Sequence, residues 1–135
     1  MVTLIGMGSG SWETLSVQAQ DAVRRAGLVF GAKRLLAGLP PECTARQFAL
    51  YQPAEILETL AQAPGQDAAV LYSGDTGFYS GASGLLTPLR ALGIPARVYP
   101  GVSSIQLLAA ALGRPWQDWK LVSAHGCACD PVAEC

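Results

Sequence analysis

The sequence predicts a single α/β domain, a mainly parallel sheet with helices on both faces. Three observations carry that expectation. Residues 2–30 run strand, helix, strand; the alternation continues to residue 123; and four of the apolar strand-like runs stop at glycine- or serine-rich loops. At 135 residues the chain has the size of one domain and can bury a core without disulfides or metals.

Residues 2–5 form a short apolar run that ends at Gly6, as a buried strand does before a tight loop. Leu15, Ala19, Ala22, Val23 and Ala26 then recur at helical spacing, with Gln18, Asp21 and Arg25 on the opposite side. Thr14 is the expected N-cap of that helix. Gly27 ends it, and residues 28–30 make the second strand. A helix is expected over 32–37, a loop at Pro40-Pro41, and another helix over 54–63 that Pro64-Gly65 terminates. Residues 68–73 are the clearest later strand. Helices over 85–92 (despite Pro88) and 104–112 alternate with strands over 96–99 and 120–123. The chain shows no internal repeat, low-complexity tract or interdomain linker.

Composition excludes several classes of function. Half the residues are hydrophobic and 14% are charged, which argues against disorder and allows one face to be hidden against a partner. Nine Lys and Arg against ten Asp and Glu give a net charge of -1, so no summed positive field exists to hold a nucleic acid. No apolar run approaches the ~20 residues that span a bilayer, and the start lacks the basic residues of a secretory signal. No membrane role is expected, and the chain reads as cytoplasmic. In that compartment Cys43, Cys127, Cys129 and Cys135 are expected as thiols. Cys127, Cys129, Cys135 and His125 match no zinc-ligand spacing, so no metal is expected.

The chemistry-bearing residues fall in four loops: Gly6-Met7-Gly8-Ser9-Gly10, Ser73-Gly74-Asp75-Thr76-Gly77-Phe78-Tyr79-Ser80-Gly81, Pro100-Gly101-Val102-Ser103-Ser104, and Ser123-Ala124-His125-Gly126. Each follows an expected strand, so a parallel sheet brings all four to one edge, where open α/β folds bind ligands. Structural roles are open for the same residues. Ser103 with Gln106 fits a helix capping box, Asp75 can hold its own turn or a ligand, and Tyr72, Phe78 and Tyr79 suit walls and core. The first loop misses the dinucleotide fingerprint, because its sixth position is Ser11. Gly31-Ala32-Lys33-Arg34 stands where a ribose-binding acid would follow the second strand, which disfavours NAD and leaves an NADP variant open. The absence of Gly-Lys-Ser/Thr excludes a P-loop.

Taken together, the loops resemble those of the tetrapyrrole methylases, which modify porphyrin and corrin precursors. That family's opening Gly-x-Gly-Pro-Gly-Asp is matched by Gly6, Gly8 and Gly10, with Ser9 and Ser11 in place of the proline and the acid. Its Gly-Asp-Pro motif corresponds to Gly74-Asp75-Thr76, followed by Phe78-Tyr79, and its third motif to Pro100-Gly101-Val102-Ser103-Ser104. Phe30-Gly31-Ala32-Lys33-Arg34-Leu35-Leu36, Leu112-Gly113-Arg114-Pro115-Trp116 and Ser123-Ala124-His125-Gly126 resemble the precorrin-6Y methyltransferase branch.

The resemblance implies a Rossmann-like N-terminal domain over residues 1–126 that is not a dinucleotide fold. Residues 127–135 would begin the connection to a second domain. It further implies an S-adenosylmethionine-dependent methyltransferase, releasing S-adenosylhomocysteine, that acts on C5 of a precorrin or cobalt-precorrin in cobalamin biosynthesis. Gly8, Ser9, Gly74, Asp75, Phe78, Gly101, Ser103 and Ser104 would bind the donor; Asp75, Tyr79 and His125 are the candidates for catalysis. The implied partners are the corrin macrocycle, the C-terminal domain and a second copy of the chain, and fusion to or association with a C15-methylating decarboxylase stays open. The alternatives are a sister methylase acting on another tetrapyrrole carbon or on a diphthine-type protein substrate, and a non-catalytic nucleotide-binding module.

Overall fold

Val2, Thr3, Leu4 and Ile5 are all buried, as a strand must be when both faces of its sheet are covered. In the computed structural model, which describes residues 1–78 and 80–122, they belong to β1 (Val2–Gly6) of a five-stranded sheet. Its other strands are β2 (Leu28–Phe30), β3 (Arg46–Phe48), β4 (Ala68–Tyr72) and β5 (Ala96–Tyr99). The order is β3-β2-β4-β1-β5, every pair parallel. The expected α/β fold is the one observed.

Side chains alternate between two cores, as a pleat of period two requires. Ile5, Val29, Ala69 and Leu71 face one cluster with Leu15, Ala19 and Val23 of the α1 segment and Leu35 and Leu36 of α2. Leu4, Leu28, Phe30 and Val70 face the other, with Ile56 of α3 and Leu85 and Leu89 of α4. Helices α1 (Val17–Arg25) and α2 (Lys33–Leu36) therefore cover one face, and α3 (Pro53–Ala61) and α4 (Ala82–Ala91) cover the other. Register keeps the layers aligned: Leu4 and Phe30 flank Val70 in neighbouring strands.

Three local expectations differ from the structure. The α1 cap is Ser16, whose side chain accepts from the Ala19 N–H; Thr14 ends a 3-10 turn and donates to the Ser11 carbonyl. Strand β3 was not expected, because Phe48 is its only large apolar residue; it holds the sheet edge by stacking on Phe30, ring centroids 5.2 Å apart. Residues 120–122 form no strand, and Ser123 lies outside the described residues.

The chain divides into two units, Met1–Ser104 and Ile105–Cys135. In the second, the described part is dominated by α5, which spans Ser104–Leu112. It ends in a Schellman turn: Gly113 takes φ +65°, and the Arg114 and Gly113 N–H groups donate to the carbonyls of Ala109 and Ala110. Among the described residues no helix is long and apolar enough to cross a membrane.

Candidate functional site

Strands β1 and β4 are neighbours, yet the chain leaves β1 towards α1 on one face and β4 towards α4 on the other. In open α/β folds the carboxyl ends of strands at such a reversal are where ligands are received. The loops that follow β1, β4 and β5 meet there. By contrast, a cavity of about 450 Å3 at the opposite edge, walled by Leu57, Leu60, Leu92 and Ile94 among others, lacks the converging polar groups of a specific site.

The first two loops meet through backbone. Gly8 and Gly74 exchange hydrogen bonds, and the Met7 N–H donates to the Tyr72 carbonyl at 2.7 Å. A Cβ on Gly101 would lie 2.3 Å from the Gly74 carbonyl oxygen and 2.5 Å from that of Gly6. A Cβ on Gly6 would lie 2.6 Å from the Gly101 nitrogen. No side chain fits at either position, so these glycines are required by packing between loops.

Asp75 ties the second loop to the third. Its Oδ2 accepts from the Gly77 N–H at 3.1 Å within its own turn, and its Oδ1 accepts from the Gly101 N–H at 3.0 Å, 26 residues away. Alongside, the Thr76 hydroxyl donates to the Tyr99 carbonyl at 3.3 Å. The Phe78 N–H donates to the Asp75 carbonyl at 3.3 Å and closes the turn. The Asp75 carboxylate thus holds the backbone of two loops at the carboxyl edge of the sheet.

Gly8 and Gly74 take φ of +58° and +68°, conformations that disfavour any L side chain. Among the described residues a Cβ on Gly74 would meet only the Ser103 Cα, at 3.9 Å. Ser9 is exposed at the loop tip, Ser103 is buried immediately before α5, and Ser104 is its exposed first residue. Tyr79, His125 and the fourth loop, like Cys127, Cys129 and Cys135, lie outside the described residues. Among the described residues no three His, Cys, Asp or Glu side chains gather as a metal-binding group.

Two contributors were not anticipated from the sequence. Arg34 donates to the Ser9 carbonyl at 3.1 Å, and Gly38 lets the Gly10 carbonyl approach so closely that a Cβ would sit 2.3 Å from it. Both come from the segment after β2, and nothing in their local pattern signals a contact with residues 25 or more positions away. Two ionisable groups close to these loops have displaced titrations. Burial pushes the Tyr72 phenol up to about 12, while the Ser11 hydroxyl, followed by the backbone N–H of Glu13 itself, lowers the Glu13 carboxyl.

A parallel sheet whose loops after β1, β4 and β5 meet at its carboxyl edge, held together by glycine backbone, defines an open α/β domain. The tetrapyrrole (corrin/porphyrin) methylase family matches residues 1–134, and the chain belongs to that family. It is 34% identical over 128 residues to the cobalt-precorrin-7 C(5)-methyltransferase of Salmonella typhimurium, covering 93% of this chain and 62% of that protein. It is also 34% identical over 120 residues to the precorrin-4 C(11)-methyltransferase of Mycobacterium tuberculosis, covering 84% and 48%. The chain therefore spans about half to two thirds of the length of these relatives. Among solved structures, the methyltransferase CobJ superposes with a TM-score of 0.72 at 27% identity, over 84% of this chain and 51% of that one. A uroporphyrin-III C-methyltransferase from Thermus thermophilus, complexed with S-adenosylhomocysteine, superposes with a TM-score of 0.65 at 25% identity, over 82% and 47%.

Proposed function

We propose that this chain supplies the donor-binding part of an S-adenosylmethionine-dependent methyltransferase acting on C5 of a precorrin or cobalt-precorrin in cobalamin biosynthesis. The observation that carries this reading is the carboxyl edge of β1, β4 and β5, where three glycine loops are locked together and, among the described residues, a Cβ on Gly74 would meet only the Ser103 Cα. That cradle suits a ligand held by backbone. In this reading Gly8, Ser9, Gly74, Asp75, Phe78, Gly101, Ser103 and Ser104 form the wall, and a second α/β domain completes the cleft.

Bound S-adenosylmethionine would supply a methyl group already activated on a sulfonium, leaving S-adenosylhomocysteine when the S–CH3 bond breaks as the new C–C bond forms. The chain's task is then orientation, which can lower such a barrier by up to ~7–11 kcal/mol. Asp75 contributes by fixing two loops at once. The proton lost from the macrocycle needs an acceptor, and Tyr79 and His125 are the proposed groups.

C5 is favoured over C11 by the wider coverage of the C(5) relative, 93% of this chain against 84%. The test is mass spectrometry and NMR of corrin intermediates incubated with S-adenosylmethionine and the full natural protein. One methyl added at C5 is expected. A methyl at C11 would transfer the chain to the sister activity, and no methylation together with no protection by S-adenosylhomocysteine would sink the reading.

A further inference from the structure

We propose that Arg34 is a positioning residue for the donor, acting by pinning the tip of the first glycine loop; this rests on the donor-site reading above. Residues 6–10 include two glycines at positive φ, Gly8 at +58° and Gly10 at +97°. A loop of this kind has much conformational freedom to lose, and unless it is ordered beforehand, the ligand must order it at the expense of affinity.

The structure orders it from the β2–α2 side. Arg34 Nη1 donates to the Ser9 carbonyl at 3.1 Å. The next residue, Gly10, is so close that a Cβ there would lie 3.0 Å from the same Nη1 and 3.5 Å from Leu35 Cδ2. Gly38 closes the other side against the Gly10 carbonyl. Inside this grip, the Gly10 N–H donates to the Met7 carbonyl at 2.9 Å. Among the described residues the guanidinium is the one long-range side-chain donor in the grip. Among the described residues it makes no ion pair with a carboxylate, so its charge strengthens the bond to Ser9 without competition.

Arg34 is exposed, so its loss would leave the Ser9 carbonyl to water rather than orphaned in the core. Folding should hardly notice. Donor binding should, because the loop tip would then be ordered only when the ligand arrives.

The test uses the full natural protein and its Arg34→Gln and Arg34→Lys variants. The readouts are calorimetric affinity for S-adenosylhomocysteine, KM for S-adenosylmethionine against kcat, and melting temperature. Arg34→Gln should weaken both donor constants about tenfold, the equivalent of one hydrogen bond to a charged group, with kcat and melting temperature nearly unchanged. Arg34→Lys should recover most of the affinity, since a single donor suffices for one carbonyl. Unchanged affinity in Arg34→Gln, a rise in KM confined to the macrocycle, or a loss that follows melting temperature without rescue by Lys would each overturn the proposal. Wild-type protein that fails to bind S-adenosylhomocysteine would overturn the donor reading and this inference together.

Discussion

Gly8 and Gly74 exchange both of their backbone hydrogen bonds, the Gly8 N–H to the Gly74 carbonyl at 3.1 Å and the Gly74 N–H to the Gly8 carbonyl at 2.8 Å. This antiparallel bridge extends the β1–β4 pair beyond the parallel sheet, and it makes two loops far apart in sequence one rigid rim. Because both residues hold positive φ, each is a glycine for conformational reasons before any ligand is considered.

Glycines of the rim should separate into two kinds under mutation. Gly101→Ala would drive a methyl group to 2.3 Å from the Gly74 carbonyl, and backbone must move. Destabilisation of about 3 kcal/mol or more is expected, at the upper end of overpacking costs. Gly74→Ala meets nothing nearer than the Ser103 Cα, at 3.9 Å, among the described residues and should cost only the left-handed penalty, about 1–2 kcal/mol. Chemical denaturation and donor titration on both variants check this. Equal destabilisation with equal affinity would show that Gly74 borders no ligand.

Asp75 is expected to affect stability and donor binding together. Asp75→Ala strips acceptors from the Gly77 and Gly101 N–H groups, and a donor left unsatisfied costs about 1–3 kcal/mol when buried. These groups are partly exposed, so a loss near the lower end, about 1–2 kcal/mol, is the expected value. Asp75→Asn keeps one acceptor and turns an amide N–H against the other backbone donor. It should fall between wild type and alanine in melting temperature, and below wild type in donor affinity. Wild-type affinity in Asp75→Ala would show that the tie between the loops is irrelevant to the ligand.

Helix α1 gives a test independent of the site. The Ser16 side chain accepts from the Ala19 N–H at 3.1 Å, and removal of such a cap costs about 1 kcal/mol. Ser16→Ala should lower the melting temperature accordingly and leave donor affinity alone. Thr14→Ala should be milder, since the Thr14 hydroxyl only donates to the Ser11 carbonyl in a 3-10 turn. The reverse order would restore Thr14 as the effective cap.

The sheet and the convergence of three loops were legible in the sequence because apolar runs at 2–5, 28–30 and 68–71 are buried on both faces, and strand direction then fixes where each loop must go. Edge strand β3 was not, since Arg46 and Gln47 face solvent and what makes it a strand is its backbone pairing with β2, which no local apolar pattern announces. The candidate loops were legible in the sequence, but the contacts between them were not. Asp75 was read as acting in its turn or on a ligand, and the tie to Gly101 spans 26 residues, a distance at which no local pattern speaks. The same holds for Arg34 and Ser9, where the basic pair after β2 left an NADP variant open and the structure shows Arg34 anchoring a loop.

Tyr72 closes β4 beside the rim, with its ring 3.5 Å from where a Cβ on Gly81 would lie. Burial disfavours the charged phenolate and pushes its pKa up to about 12, from 10.0. The sign follows from linkage. The folded state holds the proton more tightly than the unfolded chain, so the stabilising contribution is complete below pH ~10 and is lost as pH rises towards ~12. Tyrosinate absorbance of the folded protein should therefore show one phenol ionising well above the ordinary value, and Tyr72→Phe should remove that component. Stability of the wild type should fall more steeply than that of Tyr72→Phe across the same interval. If the late-titrating phenol persisted in Tyr72→Phe, another tyrosine would be the buried one, and the packing of β4 against α4 would have to be redrawn.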